Sequence, residues 1–231
     1  MAKFDVRVVS DVICPWCYLG KRRLERAIDV YKKVVPGGAN DSFHVTWHPF
    51  YLDPTLPKVG VETSTHLANK FGPDRVRMIQ ARLKTLGETE GIHFDFGKNK
   101  VGNTRDAHRV VQLAKTKSGD LENKVVEELF RSYFEQGGDV TSHDMLIAAA
   151  ERAGLSREET KKWLEDGSGG AEVDREVKQA YAEGIHGVPD FLINGRYRIN
   201  GAQDVEAFVS EFVRAKEAAP NTAGTSGGNT C

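Results

Sequence analysis

Cysteine is scarce in this chain, with three among 231 residues, at Cys14, Cys17 and Cys231. That number excludes a disulfide-stapled scaffold, since such scaffolds are short and cysteine-dense. Net charge is scarce too: 32 basic side chains face 33 acidic ones, for a formal charge of −1. Nucleic acid and anionic membrane surfaces find no basic excess to attract them, so neither is an expected partner. No stretch approaches the length of an apolar membrane span. The opening Met-Ala-Lys-Phe-Asp-Val lacks the apolar core and small-residue cleavage site of an export signal. A cytoplasmic location is therefore expected, where thiols rest mainly reduced. A zinc site on Cys14 and Cys17 would need a second ligand pair; the remaining cysteine and the scattered histidines are not expected to supply one, and no metal is expected.

What is present is a core and one concentrated motif. Hydrophobic residues make up 39% of the chain, enough for one large domain or a domain carrying a substantial insertion. Phe4, Val6 and Val8 alternate with Asp5 and Arg7, a period of two that reads as a strand ending at Ser10-Asp11. Cys14-Pro15-Trp16-Cys17 follows at once, and Leu24, Ala27, Ile28 and Tyr31 then recur at helical spacing. Pro15 suits the first helical position because it lacks an N–H and its φ is already set. Cys14 thus falls at the helix start, where unpaired N–H groups and the positive end of the dipole favour a thiolate. Cys14 is the expected nucleophile, and Cys17, one turn on, the expected resolving thiol. A structural disulfide is the plainer alternative, but a two-residue gap closes a small and reducible ring.

The first helix is expected to stop near Val35-Pro36-Gly37-Gly38, and Phe43, Val45 and Trp47 mark a second strand stopped by Pro49, parallel to the first. From about Glu62 to Glu183 no strand is expected. Helical patterns fill that stretch, the clearest on Val126, Leu129, Phe130 and Tyr133. Thr104, then Thr141 or Ser142, are expected caps, and Ser156-x-x-Glu159 reads as a capping box. After Gly167-Ser168-Gly169-Gly170 a further helix reaches Tyr181. Phe191–Ile193 and Arg196–Ile199 then flank Asn194-Gly195, a hairpin signal, and Val205, Phe208, Val209 and Phe212 give a final amphipathic helix. The Gly, Ser, Thr and Asn content from Pro220 onward predicts a flexible tail, residues 220–231.

This order, β, α, β, helical insertion, α, β, β, α, matches an α/β thioredoxin fold with an inserted α-helical domain. The expected boundaries are 1–61 and 184–219 for the thioredoxin part, 62–170 for the insertion, and a helix over 171–183 leading back. Thioredoxin-like proteins open their third strand with a cis-proline beside the dithiol, and Gly187-Val188-Pro189 stands in that place. Backbone groups of Val188 are then free to pair with an extended substrate.

Four segments carry a closer likeness: Ser10 to Lys21 (SDVICPWCYLGK), Asn103-Thr104 with Ala107-His108-Arg109, Gly187-Val188-Pro189, and Gly201-Ala202-Gln203. Together they resemble the FrnE-like branch of the DsbA thioredoxin family, over Phe4 to about Lys216. The resemblance implies a cytoplasmic thiol-disulfide oxidoreductase with Cys14 and Cys17 as the redox pair, Pro189 as the cis-proline, no tightly bound cofactor, and a protein or small-molecule thiol or disulfide as substrate. Glutathione is the expected cosubstrate. Kappa-class glutathione transferases and 2-hydroxychromene-2-carboxylate isomerases share the insertion but work with a serine near the glutathione sulfur, against which the two cysteines argue. A glutathione-dependent isomerase or transferase is the alternative function, and a redox-sensing binding protein a further one. Relatives in the glutathione-using branch pair up, which suggests a homodimer.

Other candidates are weighed against plainer roles. Asn103 and Thr104 match a motif facing the active site, yet Thr104 also serves as a helix cap. Gln203 and Asp204 open the last helix, a natural anion site unless Asp204 caps it. Asp190 replaces a residue usually apolar in FrnE-like sequences, and a carboxylate near Cys14 would oppose the thiolate. His186 would favour the thiolate if protonated, or is simply solvated. Lys21-Arg22-Arg23 attracts acidic substrates or lies on an exposed helix face. Pro15 and Trp16 are expected to meet substrate, Trp16 as an exposed apolar rim.

Overall fold

The computed structural model describes residues 1–218; Cys231 and the tail expected from residue 220 lie outside the described residues. Strand β1 (Lys3–Ser10) runs into helix α1 (Pro15–Val34), and the chain returns along β2 (Ser42–Pro49). Parallel strands need such a crossover, and here β1 and β2 lie in register, Phe4 beside Phe43, Val6 beside Val45 and Val8 beside Trp47. Much later β5 (Asp190–Ile193) pairs antiparallel with β1, and β6 (Tyr197–Asn200) with β5, giving the order β2-β1-β5-β6. Asn194 and Gly195 turn this hairpin with φ of 50° and 66°, values that asparagine and glycine tolerate, while the Arg196 N–H donates to Ile193 O at 3.1 Å.

Between β2 and β5 the chain is mostly helical: α2 (Thr63–Phe71), α3 (Pro73–Thr89), α4 (Arg105–Lys115), α5 (Gly119–Phe134), α6 (His143–Ala153), α7 (Arg157–Glu165) and α8 (Gly170–Ala182). Two short strands interrupt it, against the expectation of none: β3 (Val61–Glu62) and β4 (Lys100–Val101) pair antiparallel. At two residues each they are too short to leave a period in the sequence. The caps fall partly as expected. Ser142 and Ser156 accept from the N–H groups of Met145 and Glu159. The box at Ser156 is only half formed, because the Glu159 carboxylate goes to Lys117 at 2.7 Å. Thr104 sits at the N-cap of α4 without a side-chain bond; Asn103 Oδ1 accepts the Arg105 N–H instead, at 3.0 Å.

Alternation divides the sheet into two faces. On one, Phe4, Phe43, Tyr31 of α1 and Phe212 of α9 (Val205–Glu217) form a cluster with ring centroids 4.6–5.8 Å apart. Each buried ring contributes about 1.5–3 kcal/mol through the water it releases. Phe191 meets Phe208 on the same face, and α1 comes so near that a methyl group on Gly20 would stand 2.9 Å from Phe191 and 3.1 Å from Pro189. The other face is packed by α8, with Val9, Phe50, Ala180 and Ile185 as a small apolar cluster.

The insertion is bound to α1 by stacked rings and by charge. Tyr18 stacks on Phe130 at 5.1 Å. Lys21, only 3% exposed, reaches Glu25 and Glu127, and Arg22 reaches Glu127. Arg23 bonds Glu90 at 3.1 Å, Ala202 O at 2.7 Å and Asp204 at 3.0 Å. The Lys21-Arg22-Arg23 run is therefore neither an exposed face nor a free basic patch. Its charges are spent joining α1 to α3, α5 and the start of α9. At the outer edge of β2, the buried Glu122 accepts the Trp47 N–H at 2.8 Å, taking the place of a missing neighbour strand.

Candidate active site

Cys14 occupies the N-cap of α1 in extended backbone, φ −91° and ψ 111°, with Pro15 as the first helical residue. Its N–H donates to Asp11 O at 3.0 Å and its carbonyl accepts the Cys17 N–H at 3.0 Å, a tight turn that holds the two thiols under one helix start. Both are free thiols and both are buried, Cys14 at 2% exposure and Cys17 at 0%. The two are not equivalent. Burial pushes the Cys17 thiol well above its ordinary pKa, and the hydrogen bond and charge of Cys14 push it further; the Ser10 hydroxyl and Asp11 backbone pull it back.

Across from the thiols, the Val188–Pro189 peptide is cis. Val188 O lies 3.6 Å from Cys14 Sγ and accepts its S–H. Pro189 is fixed from behind by the Gly201 N–H, which donates to its carbonyl at 2.8 Å. Trp16 is half-buried rather than an exposed rim: it packs on the core, and Arg82 of α3 lies over its ring at 5.8 Å. The insertion reaches over Trp16 and covers the surface that the helix alone would leave bare.

The remaining candidates separate. Asn103 is tied down by its N–H to Pro57 O at 2.8 Å and by capping Arg105, and Thr104 is buried; neither hydrogen-bonds to Cys14 or Cys17. Gln203 is exposed and its amide donates to Asn200 O at 2.9 Å. Asp204 does not cap α9, because its carboxylate pairs with Arg23. Asp190 does not press on Cys14. It alternates with Phe191, whose ring faces α1, so its own side chain lies on the opposite face, 3.7 Å from Arg198. His186 is exposed on the loop before Pro189.

Sequence reasoning passed over the pair that supports the thiol loop. Asp11 is fully buried; its Oδ2 accepts the Leu52 N–H at 2.8 Å, and its Oδ1 lies 3.4 Å from His108 Nε2 on α4. That nitrogen is also 3.1 Å from Phe50 O. A carbonyl oxygen only accepts, so Nε2 carries the proton toward Phe50 O, and Asp11 Oδ1 is buried without a hydrogen-bond partner among the described residues. Residues 10–14, the 50–52 segment and α4 are thereby linked directly behind the dithiol. Both residues stood in the quoted motifs, but 97 positions apart in sequence, with no spacing signal to join them. His44 and His48, at H-x3-H spacing, also escaped notice. Extended backbone sets them far apart, and His48 bonds Glu176 of α8 at 2.6 Å.

The profile of the DSBA-like thioredoxin domain matches residues 5–213. YwbO of Bacillus subtilis, an uncharacterized protein, is 27% identical over 205 residues, 88% of this chain and 92% of its own. Among solved structures, the probable DsbA oxidoreductase of Streptomyces coelicolor superposes with a TM-score of 0.83 at 28% identity, covering 93% of this chain and 91% of its own. The cytosolic disulfide reductase DsbM of Pseudomonas aeruginosa, in a structure with GSH, superposes with a TM-score of 0.60 at 18% identity, covering 92% and 98%.

Proposed function

Since the chain belongs to the family of the DSBA-like thioredoxin domain, and its two helix-start thiols are placed differently, Cys14 against Val188 and Cys17 beneath the helix start, we propose that it is a thiol-disulfide oxidoreductase. The observation that carries this reading is the asymmetry of the dithiol. Cys14 stands at the helix mouth against Val188, while Cys17 lies wholly beneath it with a raised pKa, a thiol held in reserve.

In the proposed cycle the Cys14 thiolate attacks one sulfur of a substrate disulfide. The S–S bond breaks, a mixed disulfide forms, and the first substrate thiolate leaves and takes up a proton. Cys17 then gives up its proton and attacks Cys14 Sγ, forming the Cys14–Cys17 disulfide and releasing the second substrate thiol. Two electrons have passed from the dithiol to the substrate. Two molecules of glutathione, oxidised to their disulfide, return them; the DsbM structure with GSH supports glutathione as the proposed recycling thiol, and the cytosolic site of that enzyme supports a cytoplasmic one here. Val188 offers backbone groups to an extended substrate, and Pro15 and Trp16 border the same mouth.

Intact-mass measurement after mixing with oxidised glutathione, with Cys231→Ser as the background throughout so that Cys14 and Cys17 are the thiols under test, tests the cycle. With both of these thiols intact, the chain is expected to pass through a short-lived adduct and end as an internal disulfide. Cys17→Ser is expected to stop at a stable single adduct on Cys14, and Cys14→Ser to form none. An adduct that persists with both thiols intact, or turnover that survives Cys14→Ser, overturns the reading.

A further inference from the structure

α8 crosses only part of its face of the sheet. Glu176 meets His48 of β2 and Glu183 meets Arg7 of β1, so the β5–β6 half is left open. There, between the 184–189 loop and β6, lies a groove of about 380 Å³, a volume within the range of small-ligand sites. It shares with the dithiol Val188, whose carbonyl meets Cys14 Sγ at 3.6 Å, and the cis Pro189, while neither thiol lines it.

The groove contains an unusual charge. The Asp190 side chain is 4% exposed, yet among the described residues its carboxylate accepts no hydrogen bond; the nearest cation, Arg198 Nε, stands 3.7 Å away, beyond hydrogen-bond reach. Burial drives its pKa up, against the pull of Arg198 and Arg7. A buried carboxylate without donors is costly and strongly favours an incoming one. Arg198, with a side chain 35% exposed, likewise donates no hydrogen bond among the described residues. A purely anionic ligand would meet Asp190, and a purely cationic one would meet Arg198. A dipolar ligand satisfies both.

We propose that this groove is a subsite for an α-amino acid terminus, with its ammonium on Asp190 and its carboxylate on the Arg198 guanidinium. That the terminus belongs to a disulfide or thiol substrate rests on the exchange reading; the subsite itself does not.

The test uses thioether probes, which cannot exchange, titrated into the reduced full-length chain while backbone amide shifts are followed. Lanthionine, which has two α-amino acid termini, is expected to give saturable shifts at Gly187, Asn200 and Gly201. Thiodipropionate, which keeps the carboxylates and lacks the ammonium groups, is expected to bind at least about tenfold more weakly. Asp190→Asn and Arg198→Gln are each expected to weaken lanthionine by about the same factor. S-methylglutathione identifies the source: tighter binding than lanthionine assigns a γ-glutamyl terminus, weaker binding a free amino acid, and either supports the subsite. Equal binding of lanthionine and thiodipropionate, no binding of lanthionine, or lanthionine affinity unchanged in both variants overturns it. Should a variant fail to fold, the comparison of probes on the unaltered chain still decides. Lanthionine binding without disulfide exchange keeps the subsite and removes the exchange reading; exchange without lanthionine binding does the reverse.

Discussion

The two faces of the sheet are built from different chemistry. The face under α1 and α9 is mainly aromatic, filled by Phe4, Phe43, Phe191, Phe208 and Phe212, with the buried Asp41 carboxylate held by the Tyr31 hydroxyl at 2.9 Å and by Lys216 at 2.7 Å. The face under α8, with the adjoining edge of β2, is wired with charge: Arg7 to Glu183, His48 and Lys115 to Glu176, Asp190 beside Arg198, and Glu122 under Trp47. The contrast separates two tasks. Dispersion and released water hold the first face without choosing a ligand, whereas buried polar groups on the second give up hydration for particular partners. The cis-proline corner, where both thiols sit, is the seam between them.

The sharpest way to break this contrast is to cut the aromatic face. Phe212→Ala removes a ring that touches three others and is expected to cost about 3–5 kcal/mol in denaturant unfolding. A loss under about 1 kcal/mol would mean the face is not the main source of stability. Glu122→Gln probes the wired side. Burial raises the Glu122 pKa from the ordinary 4.5 to about 7, with the Trp47 N–H and Lys115 pulling it down. The folded state therefore binds the proton more tightly than the unfolded chain, and the stability from that proton is lost as pH rises from about 4.5 through 7. Glutamine keeps an acceptor for Trp47 without the charge. It is expected to unfold about 2–3 kcal/mol later than the unaltered chain above pH 7 and near equally below pH 4.5, read as the difference between two melting curves. Indifference of that difference to pH would show the carboxyl to be hydrated.

Gly20→Ala tests the seam. Its methyl group would lie 2.9 Å from Phe191 and 3.1 Å from Pro189, so a cost of about 1–3 kcal/mol is expected, together with slower exchange as Pro189 is displaced. Unchanged exchange kinetics in a destabilised variant would separate packing from the site. The smallest effect belongs to the half-exposed Arg7–Glu183 pair, where Arg7→Ala is expected to change stability by no more than about 1 kcal/mol and to lose even that in high salt.

Local chemistry was legible wherever neighbours in sequence are neighbours in space. Strand alternation at Phe4–Val8, the helix opened by Pro15, the turn at Asn194-Gly195 and the caps at Ser142 and Ser156 all depend on groups within a few residues of one another. The paired cysteines belong to that class, because one helical turn sets their approach. Where a charged side chain finds its partner is another matter. Lys21-Arg22-Arg23 looked solvated and is spent on Glu127, Glu90 and Asp204; Asp190 looked close to Cys14 and faces away; Asp11 and His108 showed no bond in the sequence and meet behind the thiols.

By itself, then, the sequence determined the order of elements, the dithiol and the proline opposite it, since backbone propensity and short-range hydrogen bonding act over a few residues. Tertiary structure alone decided which charges are neutralised, which thiol meets Val188, and which half of the sheet stays open. Those outcomes depend on desolvation and on Coulomb forces between groups that only folding brings within a few ångströms of each other.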